Sequence, residues 1–81
     1  MKIPRDISGI ELADLLKVLG YDIVRQTGSH IRLRTAKNGE HFITIPSHGA
    51  IKIGTLNFIL KEIASHFEIG KKELIGILFD K

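Results

Sequence analysis

Apolar side chains near the start of the chain recur at the spacing of one helix face, at Leu12, Leu15, Leu16 and Leu19. Just upstream, Ser8 and Glu11 have the S-x-x-E spacing of a capping box, in which each side chain bonds to the backbone N–H of the other residue. Gly20 follows the last leucine and suits the left-handed conformation that ends many helices. We therefore predict a first helix over residues 9–19.

Short runs rich in β-branched and aromatic residues follow this helix, and turn residues separate them. They predict three strands, over residues 21–27, 30–35 and 41–45. The first turn, Gly28-Ser29, suits a two-residue hairpin loop with glycine at its first position. That loop would place Val24 opposite Leu33.

The loop length of the second hairpin decides which side chains share the core. A two-residue loop at Asn38-Gly39 would set Leu33 opposite Thr44 and divide the aliphatic residues between the two faces. A three-residue loop that ends in a left-handed Gly39 instead pairs Leu33 with Ile43. We adopt the second register because it gathers the aliphatic side chains on one face: Val24, Ile31, Leu33, Ile43 and Ile45.

The opposite face of this sheet is predicted to be basic. Side chains alternate along a strand, so His30, Arg32 and Arg34 point away from the core together. The first hairpin sets Arg25 opposite Arg32 and Thr27 opposite His30. Like charges that face each other across two strands repel, and a sheet that accepts them commonly serves a ligand of opposite charge.

Two further helical patterns follow the strands, over residues 55–66 and 71–79. The order of elements is therefore α-β-β-β-α with an additional C-terminal helix. Helices that cover one face of a three-stranded antiparallel sheet form an α+β sandwich whose other face stays open. This order is that of the double-stranded-RNA-binding-domain fold, although a fold alone does not assign a function.

Composition constrains the size and the cellular location of this protein more than its activity. We expect one domain over residues 1–81, because 81 residues support one thin core. The net charge of +3 permits nucleic-acid binding without requiring it. The absence of cysteine favours a reducing compartment, and neither a membrane-spanning apolar run nor a signal-peptide pattern is present. These features predict a cytoplasmic protein without membrane contact.

His30 is the strongest candidate for chemistry, because it follows the Gly28-Ser29 turn and shares its face with Arg32. Cleavage of RNA without a metal ion needs a base for the 2′-hydroxyl and positive charge for the phosphorane-like transition state. Imidazole supplies the first near neutral pH, and guanidinium supplies the second. The residues leave a second interpretation open, in which His30 is only a polar residue bonded to the hairpin.

The remaining histidines and one lysine are interpreted from their positions. His48 follows the third strand closely enough to come near His30, as a phosphate ligand or a second proton-transfer group; a solvated loop histidine is the alternative. Lys52 precedes the second helix, whose N-terminus attracts anions. We interpret His41 and His66 as structural.

Several other kinds of site are not indicated. The chain has no cysteine and no histidine pair at i, i+4 spacing, so we predict no zinc or other metal site. Walker-type and dinucleotide-binding glycine patterns are absent, so we predict no cofactor. We do not expect Ser29 and His30 to form a hydrolase triad, because adjacent strand residues point to opposite sides and no orienting acid is evident.

Several motifs together resemble the HicA (YcfA-like) toxin family, in this order: Ile3-Pro4, Ser8-Gly9, Glu11-Leu12, Leu19-Gly20-Tyr21, Arg25-Gln26-Thr27-Gly28-Ser29-His30, Ile45-Pro46-Ser47-His48-Gly49 and Gly54-Thr55-Leu56-Asn57-Phe58-Ile59-Leu60. The resemblance implies a double-stranded-RNA-binding-like fold, cleavage of messenger RNA, inhibition of translation and a HicB-type antitoxin as partner. It also implies that His30 is the catalytic residue, while His48 matches a second histidine of the family. The second helix runs on through residues 64–68, where many members break.

The residues and the resemblance together predict a toxin ribonuclease that acts through His30. We assign its RNA contacts to the following residues: Arg25, Ser29, Arg32, Arg34, His48 and Lys52. We expect the antitoxin to cover the His30–Arg32 face. A non-catalytic RNA-binding module and a protein-interaction domain that uses the open sheet face are the alternatives.

Overall fold

The computed structural model describes residues 6–79, so the Ile3-Pro4 motif lies outside the described residues. Its elements in chain order are α1 (Gly9–Leu15), a 3₁₀ helix (Leu16–Leu19), β1 (Asp22–Gln26), β2 (His30–Thr35), β3 (His41–Pro46), α2 (Ile53–Phe67) and α3 (Lys71–Phe79). This order confirms the predicted α-β-β-β-α arrangement with an additional C-terminal helix. Across residues 6–79, no helix is both long enough and apolar enough to cross a membrane.

The first helix begins where the capping box predicts. Ser8 Oγ accepts a hydrogen bond of 3.1 Å from the backbone N–H of Glu11, and the Glu11 carboxylate accepts one of 2.9 Å from the backbone N–H of Ser8. Hydrogen bonding of the Glu11 carboxylate by the backbone N–H of Ser8, and then by the Ser8 side chain, lowers the pKa of Glu11. The predicted single helix tightens into a 3₁₀ helix from Leu16 and ends at Gly20, which has a φ of 82°. A 3₁₀ turn is a common way for a helix to end.

The three strands form one antiparallel sheet in the order β1-β2-β3. The predicted register of the second hairpin is confirmed, because Leu33 lies opposite Ile43 and His30 lies opposite Pro46. Gly39 has a φ of 96°, as a left-handed loop position requires. The aliphatic residues of β2 and β3 therefore face the same side.

The prediction that Val24 faces the core is wrong. Arg25 lies opposite Arg32 as expected, but the next pair joins Ile23, and not Val24, to Leu33. A β-bulge between Ile23 and Arg25 leaves Val24 as the extra residue, and 51% of its surface is exposed. A bulge shifts the alternation of one strand by one residue, so a regular pattern does not locate it.

The helices cover one face of the sheet and build the core on it. α1 packs against β2, α2 against β3, and α3 against α2. Thr35 is the fully buried polar residue of this core: its hydroxyl donates to the Leu19 carbonyl at 2.9 Å and accepts from the Lys37 N–H at 3.1 Å. The main buried side chains of the strands and helices are Leu12, Leu16, Tyr21, Ile31, Leu33, Ile43, Ile45, Leu56, Leu60, Ile63 and Leu74.

The start of α1 lies unusually close to the end of β3. A Cβ atom added to Gly9 would lie 1.9 Å from the carbonyl oxygen of Pro46, so only glycine fits there. Nearby, Ser8 and Ala50 form an isolated bridge, and the Ile51 N–H donates to the Ile7 carbonyl at 2.8 Å. The chain segment after β3 is therefore bound along the N-terminal end of α1.

We expect Gly9→Ala to lower the free energy of unfolding by about 1–3 kcal/mol, because the added methyl group collides with backbone and not with a movable side chain. Gly54→Ala is the matched control, since a Cβ at Gly54 meets no heavy atom within 4 Å. Urea denaturation of the two variants measures the difference. Equal stability of the two variants would contradict the close approach at Gly9.

Candidate nucleic-acid interface

The open face of the sheet carries the basic residues that the sequence places there. On β2, His30 and Arg32 are exposed and Arg34 is partly exposed, while the residues between them are buried. Arg25 of β1 lies beside Arg32 in the adjacent strand. An imidazole and three guanidinium groups thus share one surface, and the helices lie on the other side of the sheet.

His30 is held in place by the hairpin turn that precedes it. The backbone N–H of His30 donates to Thr27 Oγ1 at 3.1 Å, and the His30 carbonyl accepts from the Thr27 N–H at 2.9 Å. Ser29 Oγ lies 3.0 Å from Nδ1 of the His30 ring, within hydrogen-bond distance. Within residues 6–79 no hydrogen-bond partner is found for Nε2, so this nitrogen is available to a ligand.

The contact between Ser29 and His30 corrects one geometric expectation. Ser29 was expected to point away from His30, as strand neighbours do, but it belongs to the turn, and its hydroxyl reaches the ring. No carboxylate within residues 6–79 is paired with His30, so no acid–histidine–serine triad is formed among them. The Ser29 hydroxyl can orient the His30 ring through Nδ1, and Nε2 then remains available to a ligand.

The loop that carries His48 is bound to the same turn. The Ser47 N–H donates to the Ser29 carbonyl and the Ser47 hydroxyl donates to the Gly28 carbonyl, both at 3.0 Å. His48 is the next residue and is exposed. The structure therefore brings the two histidine-bearing segments together, and it does so through Ser47, to which the sequence analysis assigned no role.

Arg34 differs from the other arginines of this face. Its Nε lies 2.7 Å from the Glu40 carboxylate, in an ion pair whose side chains are 41% and 57% exposed. Such exposed pairs contribute up to about 1 kcal/mol, yet they reduce the charge that is available to a ligand. Glu40 lies in the second hairpin loop, so alternation along the strands does not predict this contact.

An aromatic side chain also belongs to this face. Phe42 of β3 lies opposite Arg34 and is 38% exposed. The Arg32 guanidinium carbon lies 4.7 Å from the centre of its ring, at the distance of a cation–π contact. This pair was not among the residues singled out from the sequence, because it joins diagonal positions on neighbouring strands.

Lys52 belongs to a different element from these groups. It is the N-cap residue of α2, is exposed, and belongs to the helical layer and not to the strands. Its side chain makes no hydrogen bond or ion pair in the part of the chain that the structure describes. The same part contains no group of three or more His, Asp or Glu residues positioned to hold a metal ion.

His41 and His66 lie at the other end of the sheet, where they pack against each other. Their rings are stacked with centroids 4.4 Å apart, and His66 Nε2 donates to the Lys37 carbonyl at 2.9 Å. Nδ1 of His41 lies 2.7 Å from the Tyr21 hydroxyl. Burial, and then the neighbouring His66, lower the pKa of His41, whereas burial raises the pKa of Tyr21. These contacts support a structural role for both histidines.

The fold and the open face define a small α+β sandwich with a basic, histidine-bearing sheet surface. A family model described as HicA toxin of bacterial toxin-antitoxin matches residues 9–64, which include α1, the whole sheet and most of α2. No curated protein and no solved structure matched the chain. Because the matched region is more than half of the 81 residues, the chain belongs to the HicA toxin family. It is a toxin of the toxin-antitoxin type, and its family implies an antitoxin partner.

The lowered pKa of His41 predicts how stability depends on pH. The unfolded chain binds a proton at His41 near the usual pKa of 6.5, but the folded chain does so only at lower pH. The free energy of unfolding should therefore fall as the pH is lowered through 6.5. Urea denaturation between pH 7.5 and 5.5 measures this loss of stability. The loss should be smaller in His41→Gln and unchanged in His48→Gln, whose substitution lies in an exposed loop. The same loss in all three proteins would contradict the prediction.

Proposed function

We propose that this toxin is a metal-independent endoribonuclease that cleaves messenger RNA and thereby inhibits translation. The observation that carries the proposal is the exposed His30 ring, which Ser29 contacts through Nδ1 while Nε2 stays available beside Arg32. Attack of a 2′-oxygen on the adjacent phosphodiester needs a base and a fixed cation that lie next to each other. Membership of a toxin family is consistent with this activity.

The proposed reaction uses groups of the open face. His30 Nε2 removes the proton of the 2′-hydroxyl, and the 2′-oxygen then attacks the adjacent phosphorus and expels the 5′-oxygen. Arg32 and Arg25, which lie side by side, neutralise the phosphate oxygens as negative charge builds up. His48, whose loop is bound to the same turn, is the candidate to protonate the leaving 5′-oxygen. The products are a 2′,3′-cyclic phosphate and a 5′-hydroxyl.

The partner in this proposal is a HicB-type antitoxin that covers the face around His30 and Arg32. Acidic residues of the antitoxin would complement the charge of this face, on which Arg25 and Arg32 are exposed. Bulky residues would block access to it. The proposed substrate, messenger RNA, implies that the protein acts in the cytoplasm. We treat residues 1–81 as one toxin domain, in which Ser29, Arg34 and Lys52 are proposed as further RNA contacts.

A second candidate function is binding of RNA without cleavage. The observation that favours it is the row of arginines, which would hold phosphates even if His30 performed no chemistry. The two candidates make different predictions for a variant that lacks only the imidazole.

We expect His30→Ala to lose RNA cleavage by about 100-fold or more, because general acid–base groups typically contribute that much. Its affinity for RNA should remain, since the arginines are unchanged. Cleavage of a labelled RNA, with end-group analysis for the cyclic phosphate, measures the first effect, and binding of the same RNA measures the second. Lys61→Ala, an exposed change on α2, is the control. Cleavage that survives in His30→Ala would exclude the proposed chemistry.

We expect Glu40→Gln to strengthen RNA binding by up to about fivefold, because it releases Arg34 from its ion pair. The slope of the logarithm of the binding constant against that of salt concentration should steepen by roughly 0.7 to 1. Glu73→Gln makes the same charge change at an exposed position on α3 and is the matched control. Equal gains in the two variants would show a general charge effect and contradict a specific role of Arg34.

A further inference from the structure

The exposed Phe42 ring lies among the basic side chains of the open sheet face. It lies on the solvent side of β3 and directly opposite Arg34 of β2. The Arg32 guanidinium carbon approaches the centre of the ring to 4.7 Å. The flat cation and the flat ring thus stand together in the open, where neither contributes to the hydrophobic core.

This pairing has the chemistry of a platform for a nucleobase. Aromatic rings and guanidinium planes are the two kinds of side chain on which unpaired bases stack. Bases inside a duplex are already stacked on each other and offer only their edges and the backbone. We propose that the Arg32–Phe42 pair binds one unpaired base by stacking, so that the chain recognises single-stranded RNA. This inference rests on the proposed function and specifies its substrate.

The position of the pair relative to His30 is compatible with one continuous RNA strand. Phe42 faces Arg34, which is four residues along β2 from His30, or about 13 Å at the rise of an extended strand. Stacked nucleotides follow each other at about 3.4 Å, so the stacked base belongs to a nucleotide a few positions from the cleaved bond. Arg32 lies between the two points along β2, and Arg25 lies beside it on β1, so both can hold phosphates of the intervening strand.

Charge favours RNA over a hydrophobic protein segment as the occupant of this site. The ring is bordered by the exposed Arg32 and by Arg34, which is paired with Glu40, and the cation of Arg32 suits a polyanion. A second exposed phenylalanine, Phe58 on α2, is 63% exposed and lines a shallow pocket with Lys61 and Glu62. Phe58 therefore provides a matched control on a surface of mixed charge.

The test measures binding of an RNA oligonucleotide of mixed sequence to the His30→Ala chain, which should leave it intact. The oligonucleotide is offered alone and annealed to its complement. In this background, Phe42→Leu should weaken single-strand binding by roughly five- to 100-fold, because it removes the stacking surface but keeps an apolar side chain. Phe42→Trp should bind the single strand at least as well as Phe42, and Phe58→Leu should change nothing.

A second measurement locates the base. Single abasic sites are introduced one at a time along the oligonucleotide, and cleavage by the unaltered chain marks the scissile bond. One abasic position, a few nucleotides from that bond, should weaken binding to the chain that retains Phe42 and should have no effect on the Phe42→Leu variant. An equal response of both chains at every position would overturn the stacking site.

The outcomes separate the substrate inference from the proposed function. If RNA is bound and cleaved but Phe42→Leu binds it unchanged, or if the duplex binds more tightly, the stacking site is wrong and the nuclease proposal stands. RNA binding that is unchanged in the Phe42→Leu variant would indicate that the Phe42 ring is a surface for a protein partner. If the unaltered chain neither binds nor cleaves RNA, both proposals are overturned.

Discussion

The pairing of β2 with β3 is the constraint on which the whole interface depends. Leu33 lies opposite Ile43 in the core, and its neighbours Arg32 and Arg34 consequently point to solvent. A register shifted by one residue would expose the aliphatic side chains and turn the guanidinium groups toward the helices, where burial without a partner is costly. Hydrophobic burial therefore selects the register, and the register selects the face on which His30 meets its basic neighbours. Stability and the proposed chemistry depend on the same row of residues.

Backbone contacts at one end of the sheet join segments that are far apart in the chain. Ser47 bonds to the turn before His30, and Gly9 approaches Pro46 so closely that a side chain would not fit. These contacts explain the small residues at this end, because backbone atoms meet directly only where side chains are short. They also attach the His48 loop to the turn of the first hairpin, and a site supported in this way holds its groups more accurately than isolated loops would.

The histidines show how position changes the use of one residue type. His30 is exposed at the first residue of β2, whereas His41 lies beside the last residue of β2 and is stacked on His66. Burial and a neighbouring imidazole lower the pKa of His41 and favour its neutral form, in contact with Tyr21. The exposed ring keeps a free nitrogen for a ligand, while the stacked pair links the second hairpin to the end of α2. The two ends of the sheet thus separate binding chemistry from packing.

The amino-acid sequence by itself determined the capping box, the helix positions, the register of the second hairpin and the common face of His30 and Arg32, because these follow from short-range hydrogen bonding and from the alternation of side chains. Its likeness to a toxin family pointed to a function that the residues alone left open. The bulge at Val24 escaped it, because one extra residue in a strand leaves no mark in the pattern. Only the tertiary structure decided the contacts of Arg34 with Glu40 and of Arg32 with Phe42, since these join different segments and depend on sheet twist, loop path and rotamer. The contact of Ser29 with the adjacent His30 depends on the turn conformation and on the rotamers of both side chains.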